Sequence, residues 1–278
     1  MSPFLVSTEW LMDHLHDPNL SIVDASWYLP TMERDAAEEF DRAHIPGAVF
    51  FDIDAISDTS SDLPHMLSAP AAFARSVGDL GVAQDDTIVV YDGPGLFSAP
   101  RVWWMFRTFG ATKVVLLDGG LSKWIDDGGP IESGTAPRKS KTFAPRFDAG
   151  RVVGLDEMRK LIEAGDVTVA DARPSDRFTG EAAEPRAGMR SGHMPGAVNV
   201  PFMALQRDGQ LKPAIELRAV LNEAGITDRT PVVTTCGSGV TAATIALALE
   251  TIGNSNHRLY DGSWSEWGGR NDTPVETD

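Results

Sequence analysis

Cys236 opens the stretch CGSGVT and is the only cysteine in the 278-residue sequence. The apolar run TPVVTT precedes it, and AATIALALETIG follows with a helical pattern. That order reads as strand, glycine-rich loop, helix. Gly237 and Gly239 permit a tight turn. A tight loop at a helix N-terminus turns backbone N–H groups inward and forms a nest for an anion. The anion best placed to use it is the thiolate of Cys236. N–H groups and a helix terminus favour thiolate over thiol, so an accessible nucleophile working near neutral pH is expected here. The competing reading is a buried, inert cysteine, because free cysteine is among the most buried residue types.

Other cysteine chemistries fail on spacing. A phosphatase loop needs an arginine six residues after the cysteine, and Ala242 stands there. The local signature of papain-like proteases is absent, and no Gly-Lys-Ser/Thr phosphate loop occurs. One cysteine makes neither an internal disulfide nor a CxxC redox pair. Only His14 and His16 have metal-like spacing, on what reads as a surface helix, so no metal site is expected.

The elements that must position this loop occur twice. LSIVDAS, RAHIPGAVFFDID, DDTIVVYDGPG and VVLLDGGLSKW appear in the first half; VTVADAR, SGHMPGAVNVPF, RTPVVTTCGSG and RLYDGSWSEW repeat the order in the second. Asp24 pairs with Asp171, His44 with His193, Asp92 with Cys236 and Trp124 with Trp267, at a nearly constant separation. That is a duplicated domain rather than a short repeat. Between the copies, SGTAPRKSKTFAPRF is rich in proline, serine and basic residues and reads as a linker over residues 134–150. The expected domains are therefore 1–133 and 151–278. The first copy has Asp92 where the second has Cys236, so the first is expected to be non-catalytic.

Within each copy, β-branched runs alternate with amphipathic ones. SIVDAS, TIVVYD and KVVLLD read as strands; TEWLMDHL, PAAFARSVGDLG and APRVWWMFRTFG read as helices. The alternation predicts an α/β fold: two tandem domains, each a parallel sheet with helices on both faces. Sites in such sheets form at the carboxyl ends of strands, where Cys236 falls. His44 and His193 recur in the copy without a cysteine and read as turn-fixing residues. By the same reasoning Asp24 and Asp171 are scaffold, and Trp124, Trp267 and the RVWWMF run are core.

Charge and composition narrow the partners. The net charge of −16 argues against a nucleic-acid or anionic-membrane binder. No stretch approaches the roughly 20 apolar residues that span a bilayer. The first residues, MSPFLVSTEWLMDHL, lack the basic-then-apolar pattern of a secretory signal. With a single cysteine, these features point to the cytoplasm.

RAHIPGA, SGHMPGA, LDGGLSKW, YDGSWSEW and CGSGVT together make the chain resemble the tandem-domain rhodanese-like sulfurtransferases over essentially its whole length. The loop is similar to the active loop of 3-mercaptopyruvate sulfurtransferases. Thiosulfate-using rhodaneses usually carry basic residues after the cysteine, whereas Gly237 and Ser238 leave this loop neutral. The resemblance implies an enzyme that takes sulfur from 3-mercaptopyruvate onto Cys236 as a persulfide and releases pyruvate. The sulfur then passes to a small thiol, thioredoxin or cyanide. No cofactor or metal is implied. Thiosulfate sulfurtransferase, a persulfide carrier serving a protein partner, and a non-catalytic interaction module are the alternatives.

The resemblance also distributes roles. Ser238 would lie beside the sulfur and the substrate carbonyl as a hydrogen-bonding or proton-relay group. Arg177 in DRFTG and Arg186 in EPRAG would grip the substrate carboxylate and keto oxygen, which suits a guanidinium fork. Asp54 in FDIDAISD and His65 in LPHMLS would come from the first domain and complete a Ser–His–Asp relay. Gly237, Gly239, Val240 and Thr241 would line the substrate site as the rest of the loop.

Overall fold

A computed structural model describes residues 2–135 and 138–277; residues 136 and 137 of the expected linker lie outside the described residues. The chain forms two compact units that are not simple halves. The first comprises Met1–Ser60, Leu67–Asp148 and Asp208–Leu211; the second comprises Ser61–Met66, Ala149–Arg207 and Lys212–Asp278.

The first unit is built on β1 (Leu5–Val6), β2 (Leu20–Asp24), β3 (Ala48–Phe50), β4 (Thr87–Tyr91) and β5 (Val114–Leu117). They form one sheet in the order β1-β5-β4-β2-β3, parallel throughout. The helices are α1 (Thr8–His14), α2 (Ala36–Arg42), α3 (Ile53–Ile56), α4 (Pro70–Asp79), α5 (Ala99–Thr108) and α6 (Gly120–Asp126). The three expected strands are β2, β4 and β5, and the three expected helices are α1, α4 and α5. The RVWWMF run lies in α5 and is buried from Val102 to Phe106, as its apolar character requires.

The second unit repeats the plan with β6 (Val152–Val153), β7 (Thr168–Asp171), β8 (Val198–Asn199), β11 (Val232–Thr235) and β12 (His257–Tyr260). Their order, β6-β12-β11-β7-β8, is again wholly parallel. Around it stand α7 (Leu155–Ala164), α8 (Ser175–Thr179), α9 (Ala214–Glu223), α10 (Ala242–Ile252) and α11 (Ser263–Trp267). The short strands β9 (Gln206–Arg207), in the second unit, and β10 (Gln210–Leu211), in the first, complete the strands among the described residues. The sequence AATIALAL leaves α10 almost no polar face, and it is buried along nearly its whole length. Among the described residues, no helix is long and apolar enough to cross a membrane.

The recurring residues hold each unit together in matched ways. His44 is buried, stacks on Phe40 at 4.0 Å, and its Nδ1 lies 2.7 Å from the Phe40 carbonyl. His193 stacks on Phe178 at 3.9 Å, with Nδ1 2.9 Å from the Phe178 carbonyl. Backbone N–H groups of both histidines donate to distant strand-like segments, at Glu132 and Glu276. Trp124 and Trp267 are buried in the two cores, and their indole N–H groups donate to Pro130 and Pro274, both at 2.7 Å. These are structural residues, as their presence in both copies implied.

Candidate active site

β11 is buried along its length and ends at Thr235, so the chain leaves the carboxyl edge of the sheet at Cys236. Gly239 turns the loop with φ 78°, and α10 starts at Ala242. α11 secures the loop from one side. The N–H of Trp264 donates to the Cys236 carbonyl at 2.9 Å; the N–H and hydroxyl of Ser265 donate to the Gly237 carbonyl at 2.9 and 2.7 Å.

The first unit carries the same loop with a carboxylate in place of the thiol. Leu121 N–H donates to the Asp92 carbonyl, and the N–H and hydroxyl of Ser122 donate to Gly93, reproducing the α11 contacts. Gly95, with φ 84°, matches Gly239. The Asp92 carboxylate accepts from the N–H groups of Gly95 at 2.6 Å and of Phe97, Ser98 and Ala99 at 2.8 Å each. This loop geometry is thus a cradle of N–H groups closed on an anionic side chain. Burial pushes the Asp92 carboxyl above its ordinary range, against the pull of those four donors. Position for position, Gly239, Thr241 and Ala242 stand where Gly95, Phe97 and Ser98 do.

Cys236 is 2% exposed. The expectation of an accessible thiol is therefore not met in this form. Ser238 and Val240 of the same loop are likewise buried, at 4% and 3% exposure.

His65 is brought to the loop. Its Nδ1 lies 2.9 Å from Ser238 Oγ, and both residues are buried. The segment Ser61–Met66 belongs to the second compact unit, although it lies in the first half of the sequence. His65 adopts φ 60°, a left-handed conformation that costs free energy outside glycine and is held by its surroundings. Asp54 lies on α3 of the first unit; it is exposed, and its Oδ2 accepts from Trp27 Nε1 at 3.0 Å.

Both predicted arginines converge on Gly237. A Cβ at that position would sit 3.3 Å from Arg177 Nη2 and 4.0 Å from Arg186 Nη1. The missing side chain is what admits the Arg177 guanidinium this close to Gly237.

Behind Arg177 lies a charged network that sequence reading missed. Arg177 forks onto Glu184, through Nε to Oε1 at 3.2 Å and through Nη2 to Oε2. Glu184 also accepts from Arg173 Nη1 at 2.7 Å. Arg173 is 1% exposed, forks onto Asp171, donates to the Gly192 carbonyl and lies over the Trp264 ring at 4.3 Å. The signal available in the sequence was weak: a glutamate two residues before Arg186 and an arginine two residues after a buried strand aspartate.

The Rhodanese-like domain family model matches residues 7–127 and again 154–270. The 3-mercaptopyruvate sulfurtransferase of Escherichia coli K12 is 47% identical over 274 residues, covering 98% of both chains. The rat thiosulfate sulfurtransferase is 41% identical over 281 residues, covering 98% of this chain and 94% of that one. Whole-chain likeness thus extends to relatives named for different donors. The crystal structure of the 3-mercaptopyruvate sulfotransferase SseA from Escherichia coli superposes with a TM-score of 0.87 at 45% identity, covering 95% of this chain and 99% of that one. The chain belongs to the rhodanese-like domain family and carries that domain twice.

Proposed function

We propose that the chain is a 3-mercaptopyruvate sulfurtransferase with Cys236 as its nucleophile. The observation that carries this reading is the buried hydrogen bond between Ser238 and His65, two residues after the cysteine. A donor whose carbon must take up a proton needs such a pair, whereas a thiosulfate-type loop would place cations there.

In this reading the Cys236 thiolate attacks the sulfur of 3-mercaptopyruvate. A sulfur–sulfur bond forms, the carbon–sulfur bond breaks, and its electron pair leaves on carbon as the enolate of pyruvate. Ser238, backed by His65, supplies the proton that completes pyruvate. Arg177 and Arg186 orient the carboxylate and keto oxygen. Gly237, Gly239, Val240 and Thr241 form the cradle for the persulfide; the closure of the matching loop on Asp92 supports that role. An acceptor thiolate, from a small thiol or thioredoxin, or cyanide in an assay, then attacks the outer sulfur and returns Cys236 as thiolate. The chemistry needs no metal or organic cofactor. Asp54, assigned to the relay by resemblance, is tested separately by Asp54→Asn.

The first copy, residues 1–133 in this reading, is non-catalytic, 134–150 is the linker, and 151–278 is the catalytic domain. A cytoplasmic location, without nucleic-acid or membrane partners, accords with the charge of −16.

The experiment is a side-by-side kcat/KM for 3-mercaptopyruvate and thiosulfate with cyanide as acceptor. It is paired with mass spectrometry of the protein after donor alone. One added sulfur on the wild type and none on Cys236→Ser is expected, with mercaptopyruvate the better donor. A preference for thiosulfate would reassign the chain to thiosulfate sulfurtransferase. Sulfur loading with turnover only in the presence of a protein acceptor would make it a carrier.

A further inference from the structure

We infer that Glu184 is a specificity-determining residue, which neutralises Arg177 beside the nucleophile and so selects a singly charged sulfur donor over a doubly charged one. The inference rests on the sulfurtransferase reading above and extends it to the choice of donor.

Position comes first. Arg173 is immobilised by a fork onto Asp171, the Gly192 carbonyl and the face of Trp264. Its Nη1 pins Glu184, whose side chain is only 3% exposed. Glu184 in turn holds Arg177 through both guanidinium edges, Nε and Nη2. The same Nη2 ends 3.3 Å from where a Gly237 side chain would begin. Glu184 thus fixes the guanidinium group that ends against Gly237, the residue after Cys236.

Charge follows from the same contacts. Arg177 is 18% exposed at its side chain, so the pair sits where water screens it weakly. A carboxylate there lowers the positive potential over the cysteine. The resulting loss of attraction scales with the charge on the donor. A mercaptopyruvate monoanion loses one increment, and a thiosulfate dianion loses two. The neutral residues Gly237 and Ser238 and the neutralised Arg177 therefore act in the same direction.

Glu184→Gln keeps the side-chain shape and removes the charge. Its ratio of kcat/KM for thiosulfate to that for 3-mercaptopyruvate should rise about tenfold or more, mainly through KM, as one uncompensated charge at several ångströms in a weakly screened site predicts. An activity-independent probe is the rate of Cys236 alkylation by iodoacetate relative to iodoacetamide, which should rise in Glu184→Gln. Arg177→Gln should lower both ratios, and Arg177→Gln with Glu184→Gln should bring them back toward wild type. If Glu184→Gln does not fold, comparing that double variant with Arg177→Gln reads the same charge. Equal losses on both donors with an unchanged alkylation ratio would overturn the inference and leave Glu184 as a strut. If the wild type fails to use mercaptopyruvate, the function proposed above falls, while the alkylation ratio still decides the role of Glu184.

Discussion

The imidazole of His65 lies 2.9 Å from the hydroxyl of Ser238, in a buried pair separated by 173 residues of chain. Such a pair can move a proton to a carbanion-like product without admitting bulk water. Its value depends on the donor. Pyruvate leaves as an enolate that needs a proton on carbon, but sulfite leaves thiosulfate as a stable anion. Ser238→Ala should therefore reduce kcat with 3-mercaptopyruvate by roughly 10²–10⁴, the span of general acid–base catalysis. Residual thiosulfate turnover should change far less. His65→Gln should reproduce the effect, and the double variant should be no worse than either single one. Equal losses with both donors in steady-state assays would show that the pair only shapes the loop.

The two arginines at Gly237 lead to a second expectation. Lysine keeps the charge of Arg177 or Arg186 but cannot fork. Each Arg→Lys change should cost about 1–3 kcal/mol in kcat/KM for mercaptopyruvate, the scale of a charge-assisted hydrogen bond. Gly237→Ala is a sharper probe. The backbone there is not left-handed, so alanine is tolerated locally, but its Cβ would press on Arg177 Nη2 at 3.3 Å. KM for mercaptopyruvate should rise while the melting temperature stays near that of the wild type. Unchanged kinetics in all three variants would return the arginines to surface charge.

Much of this arrangement could be read before any coordinates. The strand–helix alternation gave the parallel sheets, and the repeated Asp24/Asp171, His44/His193 and Trp124/Trp267 pairs marked scaffold because the copy without a cysteine retains them. Local patterns carry such information, since β-branched runs, loop glycines and apolar helix faces act over a few residues. The pairing of Arg177 with Glu184 was not legible in this way. It joins two side chains across an irregular stretch, and only the tertiary placement of Arg173 decides that Glu184 turns inward. Nor could the grouping of His65 with the second unit be read, because contact order is not written in chain order. The low exposure of Cys236 was not legible either, because burial is a tertiary property that a glycine-rich loop sequence does not specify.

Asp92 offers a test of the loop as an anion cradle, away from the proposed chemistry. Its Oδ1 accepts from Gly95, and its Oδ2 accepts from Phe97, Ser98 and Ala99. In Asp92→Asn one oxygen becomes an NH₂ group facing backbone N–H donors. The loss of bonds in a fully buried site should destabilise the protein by about 1–3 kcal/mol. Urea unfolding measures this directly. Turnover per folded molecule should be unaffected if the first copy is non-catalytic. A neutral effect on stability would mean that the loop does not need its anion.

Asp24 gives the clearest dependence on pH. It is 2% exposed at the end of β2, and its Oδ1 accepts from the Ser26 N–H at 2.9 Å. Burial raises its carboxyl from 3.8 to about 6; hydrogen bonds from Ser26 and Tyr91 oppose the rise, and the neighbouring Asp92 adds to it. The folded protein therefore holds this proton more tightly than the unfolded chain does. The stabilisation is fully present below about pH 4 and is lost as pH rises through about 6. A rise of roughly two units corresponds to about 3 kcal/mol across that window. Asp24→Asn removes the titration while keeping an acceptor for Ser26. The stability of the wild type minus that of Asp24→Asn should thus fall by an amount of that order between pH 4 and pH 7. Asp171→Asn is a contrasting control: it takes from Arg173, which is 1% exposed, the carboxylate it forks onto, leaves it Glu184 as its remaining ion-pair partner, and should destabilise the protein. Denaturant unfolding of the three proteins at several pH values is the measurement. A wild-type-to-Asp24→Asn difference that stays constant with pH would mean that water or a local rearrangement reaches Asp24 and removes the cost of its burial.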